Sequence, residues 1–431
     1  MSDGAPSVGR DVAASPRVCD VLVVGGGLVG ASLAAALAPL GLSVVVLEAS
    51  PPRDPSPPSY DDRTLALGAA SCRILEGLGL WPALDDHATP IREVIVTELG
   101  RPGRVVLDAA SMGIDRFGNV VEARAYGQAA LEHLRGLDGV TYLQPVRATT
   151  LEQDEDGVTV SVAGAEDPAP WRARLVVGAD GAASAVRALL GIDAATHDYG
   201  QVAVICNVTP ERAHCHRAFE RMTPTGPFAL LPHAGTRCGL VWCAPVAEGE
   251  ALGALDEEAF LARATERSGR ALGRLERCGR RSVYPLRRVV PASDRRGRVL
   301  LLGNAAHAIH PVGAQGFNLG LRDVAVLAEL IADARAEHGN DADPGADGVL
   351  AAYARWRRPD REATIGWSHD MVRLFASTSP FTRAARSLAL AAIGVAPGLQ
   401  RRLASRAMGY RGRAPRLALG EPLARTWEAA P

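Results

Sequence analysis

Lysine is absent from this chain of 431 residues, so all 47 basic residues are arginines. That absence excludes two kinds of site that need a lysine amine, Schiff-base catalysis and the phosphate-binding P-loop. The 48 acidic residues offset the arginines and leave a formal net charge of −1. A balance so close to neutral gives no indication of nucleic-acid binding, which requires a clear excess of positive charge.

Cysteines are few and show no pairing pattern. The seven are odd in number and none forms a CxxC pair, which argues against a disulfide framework, a zinc site or a dithiol redox motif. Buried thiols in a reducing compartment are favoured instead. The first 16 residues are polar and lack the order of basic, apolar and small residues typical of a signal peptide. We therefore expect a disordered tail over residues 1–16 on a cytoplasmic protein.

One long apolar stretch, from Val21 to Glu48, has two interpretations. It is long enough to span a bilayer, and Gly26 and Gly30 form the GxxxG pattern of paired membrane helices. However, three consecutive glycines interrupt it, and each costs about 0.8–1 kcal/mol relative to alanine inside a helix. Runs of β-branched residues and leucine flank an alanine-rich segment, so we predict a strand, a turn, a helix and a second strand.

The glycines of this turn match a dinucleotide-binding pattern. Gly25, Gly27 and Gly30 fill G-x-G-x-x-G, and Glu48 ends the second predicted strand, at the spacing of about 20 residues that such units show. The glycines let the backbone approach a pyrophosphate at the helix N-terminus, and the acidic residue accepts hydrogen bonds from ribose hydroxyls. Because this pattern alone has false positives, a nucleotide site needs support from the rest of the chain.

The rest of the chain divides by pattern into three parts. Alternating apolar residues predict a half-buried, mostly antiparallel sheet, which interrupts a nucleotide-binding domain of the α/β type. We assign the sheet domain to residues 91–115 and 196–284, the nucleotide-binding domain to residues 17–90, 116–195 and 285–345, and a C-terminal helical region to residues 346–431.

A second segment, ARLVVGADGAASAVR (residues 173–187), reads as a buried strand that ends at Gly178 and Asp180. Ligands bind beyond the carboxyl ends of strands in an open parallel sheet, so Asp180 could reach a cofactor hydroxyl. It could equally be the N-cap of a following helix. The sequence leaves both roles open.

A third segment, RVLLLGNAAHAIHPVGAQGFNLGLRD (residues 298–323), reads as a buried strand, a loop and a helix. Free backbone amides at such a helix start form an anion site, which suits a flavin ring that becomes negative on reduction. His307 and His310 stand at i, i+3, but no carboxylate or third imidazole is close by in sequence. We interpret them as structural histidines and expect no metal.

Together these segments resemble the class A flavoprotein monooxygenases, the para-hydroxybenzoate-hydroxylase-like group, and more closely the ubiquinone-biosynthesis hydroxylases of the UbiH, UbiF and VisC type. The resemblance runs from about Val18 to Gly409 and includes DDRTLAL, FGNVVEARAYGQAALEHL, DYGQVAV and GPFALLP, of which the last two distinguish this subfamily. One departure is Asn304, where aspartate is commoner; asparagine still donates and accepts hydrogen bonds. The resemblance implies an α/β fold with a Rossmann-like FAD-binding domain, interrupted by an antiparallel substrate domain and followed by a helical segment.

The same resemblance implies FAD as the cofactor and assigns residues to it by motif. Arg63 and Arg124 would meet the pyrophosphate or the flavin side, although both could be ordinary surface arginines in a chain so rich in arginine. The implied contacts are Gly25, Gly27, Gly30 and Glu48 at the ADP half, Asp180 at the second motif, Asn304 at the ribityl chain, and Pro311 with the turn from Gly313 to Asn318 at the isoalloxazine ring.

The implied reaction uses NAD(P)H and O2. NAD(P)H would reduce FAD, and a flavin C4a-hydroperoxide would transfer oxygen to an electron-rich phenol, here a polyprenyl phenol of ubiquinone biosynthesis. The candidate catalytic groups are His310, which could polarise the phenol, Pro311, and the backbone amides of Gly316 and Phe317. Two alternatives remain: a hydroxylase of a small soluble phenol or natural product, and a non-catalytic flavin-binding subunit of a biosynthetic complex.

Phe228, Leu230 and Trp242 lie on predicted strands of the sheet domain. They could face the flavin and line an apolar substrate pocket. They could equally be core residues, because large apolar side chains are usually buried whether or not a ligand is present.

The C-terminal segment has an uneven charge. From Met371 to Gly420 it has nine arginines and no acidic residue, with apolar residues interleaved, and Pro397-Gly398 predicts a break between two helices. Such a basic amphipathic segment could lie on the anionic inner face of the cytoplasmic membrane or join a biosynthetic complex. The alternative is a tail that packs on the FAD domain with solvated arginines.

Overall fold

The computed structural model describes residues 15–51, 63–101 and 103–423. The expected N-terminal tail, residues 1–16, lies outside the described residues except for its last two positions. Residues 424–431 of the C-terminal region also lie outside them.

Strands and helices alternate in the first part of the chain, strands dominate the middle, and helices form the end. The strands are β1 (Arg17–Val24), β2 (Val44–Leu47), β3 (Thr64–Gly68), β4 (Thr89–Ile91), β5 (Glu93–Glu98), β6 (Arg104–Asp108), β7 (Gly118–Glu122), β8 (Val140–Leu143), β9 (Arg147–Gln153), β10 (Val158–Ala163), β11 (Trp171–Gly178), β12 (Ala194–Pro210), β13 (Arg217–Met222), β14 (Phe228–Pro232), β15 (Cys238–Pro245), β16 (Leu275–Cys278), β17 (Ser282–Pro291), β18 (Arg295–Arg296) and β19 (Val299–Leu301). The helices are α1 (Leu28–Leu37), α2 (Ala69–Gly77), α3 (Ala123–Arg135), α4 (Ala185–Leu189), α5 (Val246–Ala254), α6 (Glu257–Ser268), α7 (Gln315–His338), α8 (Asp347–Ala376), α9 (Pro380–Val395), α10 (Pro397–Ala407) and α11 (Arg416–Leu419).

The first sheet has the strand order β18-β19-β11-β1-β2-β8, with β10 and β9 joined to β11. Its central strands run parallel, and β1 pairs with β2 so that Val21 faces Val44. The apolar stretch from Val21 to Glu48 is therefore a strand, a helix and a second strand, as predicted, and not a continuous membrane helix. Both faces of such a sheet are buried, which explains its runs of valine and leucine.

The second sheet has the order β16-β12-β15-β14-β13-β5-β6, with β17 also paired to β12. All its pairings are antiparallel except that of β13 with β5. Residues 285–291, which the sequence pattern assigned to the nucleotide-binding domain, belong to β17 and pair with this sheet. β17 thus continues past residue 284, where we expected the sheet domain to end, because the pairing with β12 extends to Pro291.

A small third sheet, β3-β7-β4, stands between the two larger ones. The contact is close: a Cβ added to Gly239 of β15 would lie 2.3 Å from the Thr64 hydroxyl oxygen of β3. This packing fixes the second sheet against the nucleotide-binding side of the molecule.

The C-terminal region is helical, and α9 and α10 are separated at Pro397. The face of α9 that carries Leu390 and Ile393 packs on the β5-β6 edge of the second sheet, and Arg386 forms a buried ion pair with Glu98 at 2.6 Å. The C-terminal region therefore docks on both parts of the molecule: α9 packs on the second sheet, and α11 packs on α2 and α7 of the FAD domain, where Leu417 and Ala418 join the main core. Packing on the FAD domain was one of the two alternatives of the sequence analysis. Among the described residues, no helix combines the length and apolarity needed to cross a bilayer.

Candidate active site

Three segments that the sequence singled out converge at the carboxyl ends of the parallel strands. The backbone N–H of Gly25 donates to the carbonyl of Leu47 at 2.7 Å, and that of Ala179 donates to Val24 at 2.7 Å. The chain after β19 joins them, since Leu302 N–H donates to the carbonyl of Gly178 at 2.9 Å. Parallel strands bring their carboxyl ends to one edge, so segments distant in sequence form one site there.

The glycine turn leaves no room for side chains. Gly25 has φ +107°, and a Cβ on it would lie 2.6 Å from the carbonyl oxygen of Ala179. A Cβ on Gly30 would lie 1.9 Å from the carbonyl oxygen of Gly25. Gly27 is the N-cap of α1 and offers no side chain to cap it. The helix start is therefore open to an anion.

Glu48 closes the other side of this turn. One carboxylate oxygen accepts from the N–H of Gly26 at 2.9 Å, and the other accepts from the N–H of Ser50 at 2.8 Å. The side chain is thereby held at the carboxyl end of β2, beside the glycines, in the position where an acidic residue meets a ribose.

Asp180 contacts the start of α4 but is not its N-cap residue, which is Ser184. Its Oδ2 accepts from the N–H of Val186 at 3.0 Å, at the start of α4. Its Oδ1 is buried and has no hydrogen-bond partner among the described residues. A buried oxygen without a partner is costly unless a ligand supplies a donor.

Asn304 lies in the short turn after β19 and is exposed. Gly303 before it has φ +56°, which turns the chain sharply away from the sheet. The glycine cradle, the orphaned oxygen of Asp180 and this exposed amide together fit an adenine dinucleotide with a polyol chain, as in FAD.

Arg63 and Arg124 lie beside each other at the ends of β3 and β7, where Ala123 N–H donates to the carbonyl of Arg63 at 2.9 Å. The Arg63 guanidinium stacks over the ring of Tyr284 at 5.3 Å. Arg124 lies 3.6 Å from Glu122 and is about two-fifths exposed. Both arginines thus border the junction between the third sheet and the rest of the site.

The turn from Pro311 to Asn318 is held to β3 by hydrogen bonds. Gly313 and Ala314 have positive φ angles of 66° and 51°. The Asn318 amide holds this turn to β3: its oxygen accepts from Gly68 N–H at 2.9 Å, and its nitrogen donates to the carbonyls of Ala66 and Ala314 at 2.8 and 2.7 Å. Asn318 therefore uses its side chain for the scaffold of the turn.

Two further positions of this segment are defined by their packing. The Phe317 ring meets the Tyr126 ring edge-on at 5.4 Å, and Phe317 packs against the main core. Gly316 opens the first turn of α7. The backbone amides at this helix start, and not the Phe317 side chain, are the groups that an anionic ring can meet.

His310 is fully buried with both ring nitrogens engaged. Its Nδ1 accepts from Val312 N–H at 3.2 Å, so its Nε2 carries the proton and donates to Gln201 Oε1 at 3.2 Å. Burial lowers the pKa of His310 to about 4. In this arrangement the imidazole is neutral and gives no free nitrogen to a phenol, which differs from the candidate role assigned to it on the sequence.

The partners of His310 come from DYGQVAV, a motif to which the sequence analysis gave no site role. Tyr199 packs edge-on against His310 at a centroid distance of 5.0 Å, and its hydroxyl lies 3.2 Å from His369 Nδ1. Gln201 of the same motif also donates to the carbonyl of Thr225 at 3.1 Å. The sequence signal that could have identified these residues is the DYGQVAV motif itself, because its polar residues interrupt an otherwise apolar strand.

Glu220 on β13 is a second site residue that sequence reasoning missed. One of its carboxyl oxygens accepts from the N–H of Gly313 at 3.3 Å. Because the group is removed from water, the pKa of Glu220 is raised, and the hydrogen bond from Gly313 offsets only part of that effect. A carboxyl with a raised pKa therefore touches the turn of the third motif.

Phe228, Leu230 and Trp242 lie on the opposite face of the second sheet. They are buried in a core with α5 and α6, and the Trp242 ring lies 6.2 Å from Phe260 of α6. Glu220 alternates with Phe219 and Arg221 and so points to the other face. The structure thus puts these three apolar residues in the core, away from the face that meets Gly313.

His307 has a structural partner. Its Nε2 lies 2.5 Å from Asp323 Oδ2, and both side chains are fully buried. No group of three or more potential metal ligands occurs in the described part of the chain.

Comparison with known proteins gives the family. Residues 18–368 match the model of the FAD binding domain family. The ubiquinone hydroxylase UbiL of Rhodospirillum rubrum is 39% identical over 426 residues, covering 98% of this chain and 97% of that protein. The chain belongs to this family of FAD-dependent monooxygenases.

One further relative and one solved structure are also similar to this monooxygenase. The 3-demethoxyubiquinol 3-hydroxylase of Escherichia coli is 33% identical over 318 residues, covering 73% of this chain and 80% of its own. The p-nitrophenol 4-monooxygenase PnpA of Pseudomonas putida has the same fold, with a TM-score of 0.75 at 24% identity, covering 92% of this chain and 100% of its own. The expected fold class and the FAD cofactor are confirmed.

Proposed function

We propose that this monooxygenase hydroxylates the aromatic ring of a polyprenyl phenol in ubiquinone biosynthesis, with NAD(P)H and O2. The relatives that support this proposal carry ubiquinone-related names, and UbiL matches 98% of this chain. The observation that carries it is the meeting of Gln201 and Glu220 of the second sheet with His310 and Gly313 of the third motif. These contacts bring the second sheet against the turn expected to line the flavin, and a ring substrate would be positioned at that junction.

FAD, when bound and reduced, supplies the oxygen-activating chemistry, and the protein supplies binding, orientation and electrostatics. Gly25, Gly27 and Gly30 would admit the pyrophosphate, Glu48 would hold the ribose, and Asp180 Oδ1 would accept from a cofactor hydroxyl. Asn304 would bind the ribityl chain, with Arg63 and Arg124 at the pyrophosphate or flavin side.

At the reacting end, the backbone amides of Gly316 and Phe317 would stabilise negative charge on the reduced ring. Removing one such donor typically costs about 10²–10³ in rate. Pro311 and Gly313 would line the ring, and His310 would hold the loop through Gln201 while remaining neutral. Glu220 would present to the Gly313 turn a carboxyl whose pKa is raised by burial, which lowers the cost of protonating it beside an anionic ring.

The identity of the substrate can be tested in a deletion strain. A strain that lacks this protein should accumulate a quinone precursor one hydroxyl short, identified by mass spectrometry, and the intact gene should restore the mature quinone. Purified enzyme should oxidise NAD(P)H faster with a prenylated phenol than with its unprenylated analogue. Faster turnover of the unprenylated ring would instead indicate a soluble phenol, and the absence of any stimulation would indicate a flavin-binding subunit without catalysis.

We further propose that α9 contacts the anionic inner face of the cytoplasmic membrane, from which a polyprenyl substrate would be taken. Phe381, Leu388 and Val395 are spaced by seven residues on one side of α9 and are 84%, 74% and 81% exposed. Exposed arginines flank this stripe at positions 373, 383, 401 and 402. A basic helix with an uncovered apolar stripe is typical of interfacial binding.

Surface substitutions test this membrane contact without disturbing the fold. Truncation is unsuitable, since Val372, Phe375 and Arg386 are buried. The variant Phe381→Ser/Leu388→Ser/Val395→Ser should bind anionic vesicles less tightly than the parent protein, with unchanged flavin content. Leu189→Ser/Val246→Ser, which removes exposed apolar residues elsewhere, is the control. Equal vesicle binding by parent and triple variant would reject the membrane contact.

A further inference from the structure

A cavity of about 690 Å³ lies away from the flavin turn, between α7, α8 and the segment after α10. Arg355, Arg357, Arg411 and Arg413 line it, together with Trp356 and Asp360. Trp367 of the same helix packs over Gly313 of the flavin turn, and Arg357 precedes it by roughly 15 Å along α8 at 1.5 Å per residue. The cavity is therefore separate from the proposed active site.

The one acidic residue of this lining is already compensated. Asp360 accepts from Arg322 Nε at 2.8 Å and from Arg357 Nη1 at 2.8 Å, and Arg357 Nε donates to Asp323 at 2.6 Å. The pKa of Asp360 is lowered by these guanidinium groups despite its burial. Its negative charge is thus neutralised by buried arginines and does not balance the remaining arginines of the cavity.

Arg357 retains an unused donor. Its side chain is 2% exposed, and its Nη2 is buried with no hydrogen-bond partner among the described residues. A buried guanidinium nitrogen without an acceptor costs free energy, on the order of 1–3 kcal/mol, unless a ligand supplies the acceptor. Arg357 lines the cavity, and an anion that reached Nη2 from there would remove that cost.

The other arginines add uncompensated positive charge. Arg355 and Arg411 form no ion pair with any residue in the part of the chain that the structure describes. Arg413 stacks on the Trp356 ring at 3.6 Å and lies 3.7 Å from Glu329. Guanidinium groups bind phosphate in a planar, two-pronged geometry, and clusters of them are typical of phosphate recognition.

We propose that this cavity binds an organic phosphate, with the phosphate held by Arg355, Arg357 and Arg411 and the organic part against Trp356. The volume supports an organic ligand, because pockets of about 300–1,000 Å³ hold molecules larger than a single phosphate ion. The phosphate could belong to a lipid headgroup or to a soluble metabolite, since both present the same chemistry. This inference is independent of which ring the enzyme hydroxylates.

Calorimetry of the flavin-loaded protein with pyrophosphate tests the site at an ionic strength of about 0.15 M, where weak surface attraction is screened. The parent protein should bind one pyrophosphate per chain, and Arg355→Ser/Arg411→Ser should weaken binding by about tenfold or more. Arg263→Ser/Arg358→Ser is the control, since it removes the same charge from exposed positions outside the lining and away from α9 and should leave the affinity unchanged. Equal affinity of the parent and Arg355→Ser/Arg411→Ser, or the absence of saturable binding, would overturn the proposal.

Binding to lipid vesicles distinguishes the two possible sources of the phosphate, a lipid headgroup and a soluble metabolite. If it is a lipid headgroup, phosphatidylglycerol vesicles should displace pyrophosphate, and Arg355→Ser/Arg411→Ser should bind them more weakly than the control variant does. If it is a soluble metabolite, the two variants should bind vesicles equally while only Arg355→Ser/Arg411→Ser loses pyrophosphate. Neither readout uses hydroxylation, so a failure of the proposed function would leave this result intact.

Discussion

The carboxyl group of Glu220 accepts a hydrogen bond from the backbone N–H of Gly313, with a nitrogen-to-oxygen distance of 3.3 Å across 93 residues of sequence. This bond joins the second sheet to the turn that is expected to line the flavin ring. Burial raises the pKa of Glu220, so the carboxyl gains a proton more easily than an exposed glutamate does. The site thereby holds an acidic residue without the full repulsion that its charge would exert on a reduced, anionic ring.

Replacement of Glu220 by glutamine should flatten the pH dependence of stability. The folded-state pKa is raised above the unfolded value near 4.5, so the native protein binds the additional proton. This contribution is fully present below pH 4.5 and is lost as the pH rises through the folded pKa. Urea denaturation over a pH series should show the parent losing stability relative to Glu220→Gln in that window.

Glutamine keeps an oxygen acceptor for Gly313, so Glu220→Gln should retain its flavin. Glu220→Ala removes the acceptor and should retain less. Parallel stability curves for the parent and Glu220→Gln would show that the carboxyl does not titrate differently on folding.

Gly27→Val should abolish flavin retention while leaving the fold intact. Gly27 has φ −68° and ψ −173°, a conformation open to any residue, so valine does not strain the backbone. Its side chain would instead occupy the space that the pyrophosphate needs at the start of α1. Flavin absorbance per chain after gel filtration measures the loss.

The matched control for this variant is Gly348→Ala, since a Cβ at Gly348 in α8 meets nothing within 4 Å. It should keep full flavin content. A Gly27→Val protein with normal flavin content would contradict the placement of the cofactor at this turn.

Replacement of His310 by glutamine, which does not titrate, should make the protein less sensitive to low pH than the parent. Burial lowers the folded pKa to about 4 from 6.5, so the unfolded chain binds the additional proton. The contribution of His310 is therefore present above pH 6.5 and lost as the pH falls towards 4, by up to about 3 kcal/mol at 1.36 kcal/mol per pKa unit.

Urea denaturation of His310→Gln between pH 4 and 6.5 measures this effect, with His338→Gln as the control because His338 is about two-thirds exposed. His310→Gln should show the weaker pH dependence of the two. Identical slopes for both variants would mean that His310 is not held neutral by burial.

Arg357→Ala should destabilise the protein strongly, because it leaves Asp323 and Asp360 buried with fewer positive partners. Breaking a buried ion pair in this way costs about 3–5 kcal/mol. The neighbouring Arg358 forms only an exposed pair with Glu362, and Arg358→Ala should change the free energy of unfolding by less than about 1 kcal/mol. Chemical denaturation of both variants provides the comparison, and equal effects would contradict the assigned burial of the Arg357 pairs.

The nucleotide-binding edge was predictable because its signals are local. Three adjacent glycines cannot continue a helix, and Glu48 follows a strand whose length is visible in the sequence. Asp180 and Asn304 each follow a buried strand, and parallel strands bring such positions to one edge. Their joint location followed from pattern and topology without knowledge of any side-chain contact.

The part of the site that the second sheet contributes was not predictable, because it depends on long-range pairing of strands. Alternation on β14 and β15 shows that Phe228 and Trp242 share a face, but not whether helices or a cofactor cover that face. The structure covers it with α5 and α6. Glu220 and Gln201 belong to the site because they contact Gly313 and His310, which lie about a hundred residues further along the chain. The sequence pattern does not show such long-range contacts.

In the proposed reaction, the chain holds FAD and uses it to insert one oxygen atom from O2 into a prenylated phenol. The most direct measurement is mass spectrometry of the product formed by the purified, yellow enzyme with NAD(P)H, a prenylated phenol and isotope-labelled O2. The proposed reaction should give a ring-hydroxylated product that carries one labelled oxygen, formed together with oxidation of NAD(P)H. A flavin-loaded enzyme that oxidises NAD(P)H without labelling the ring would contradict it.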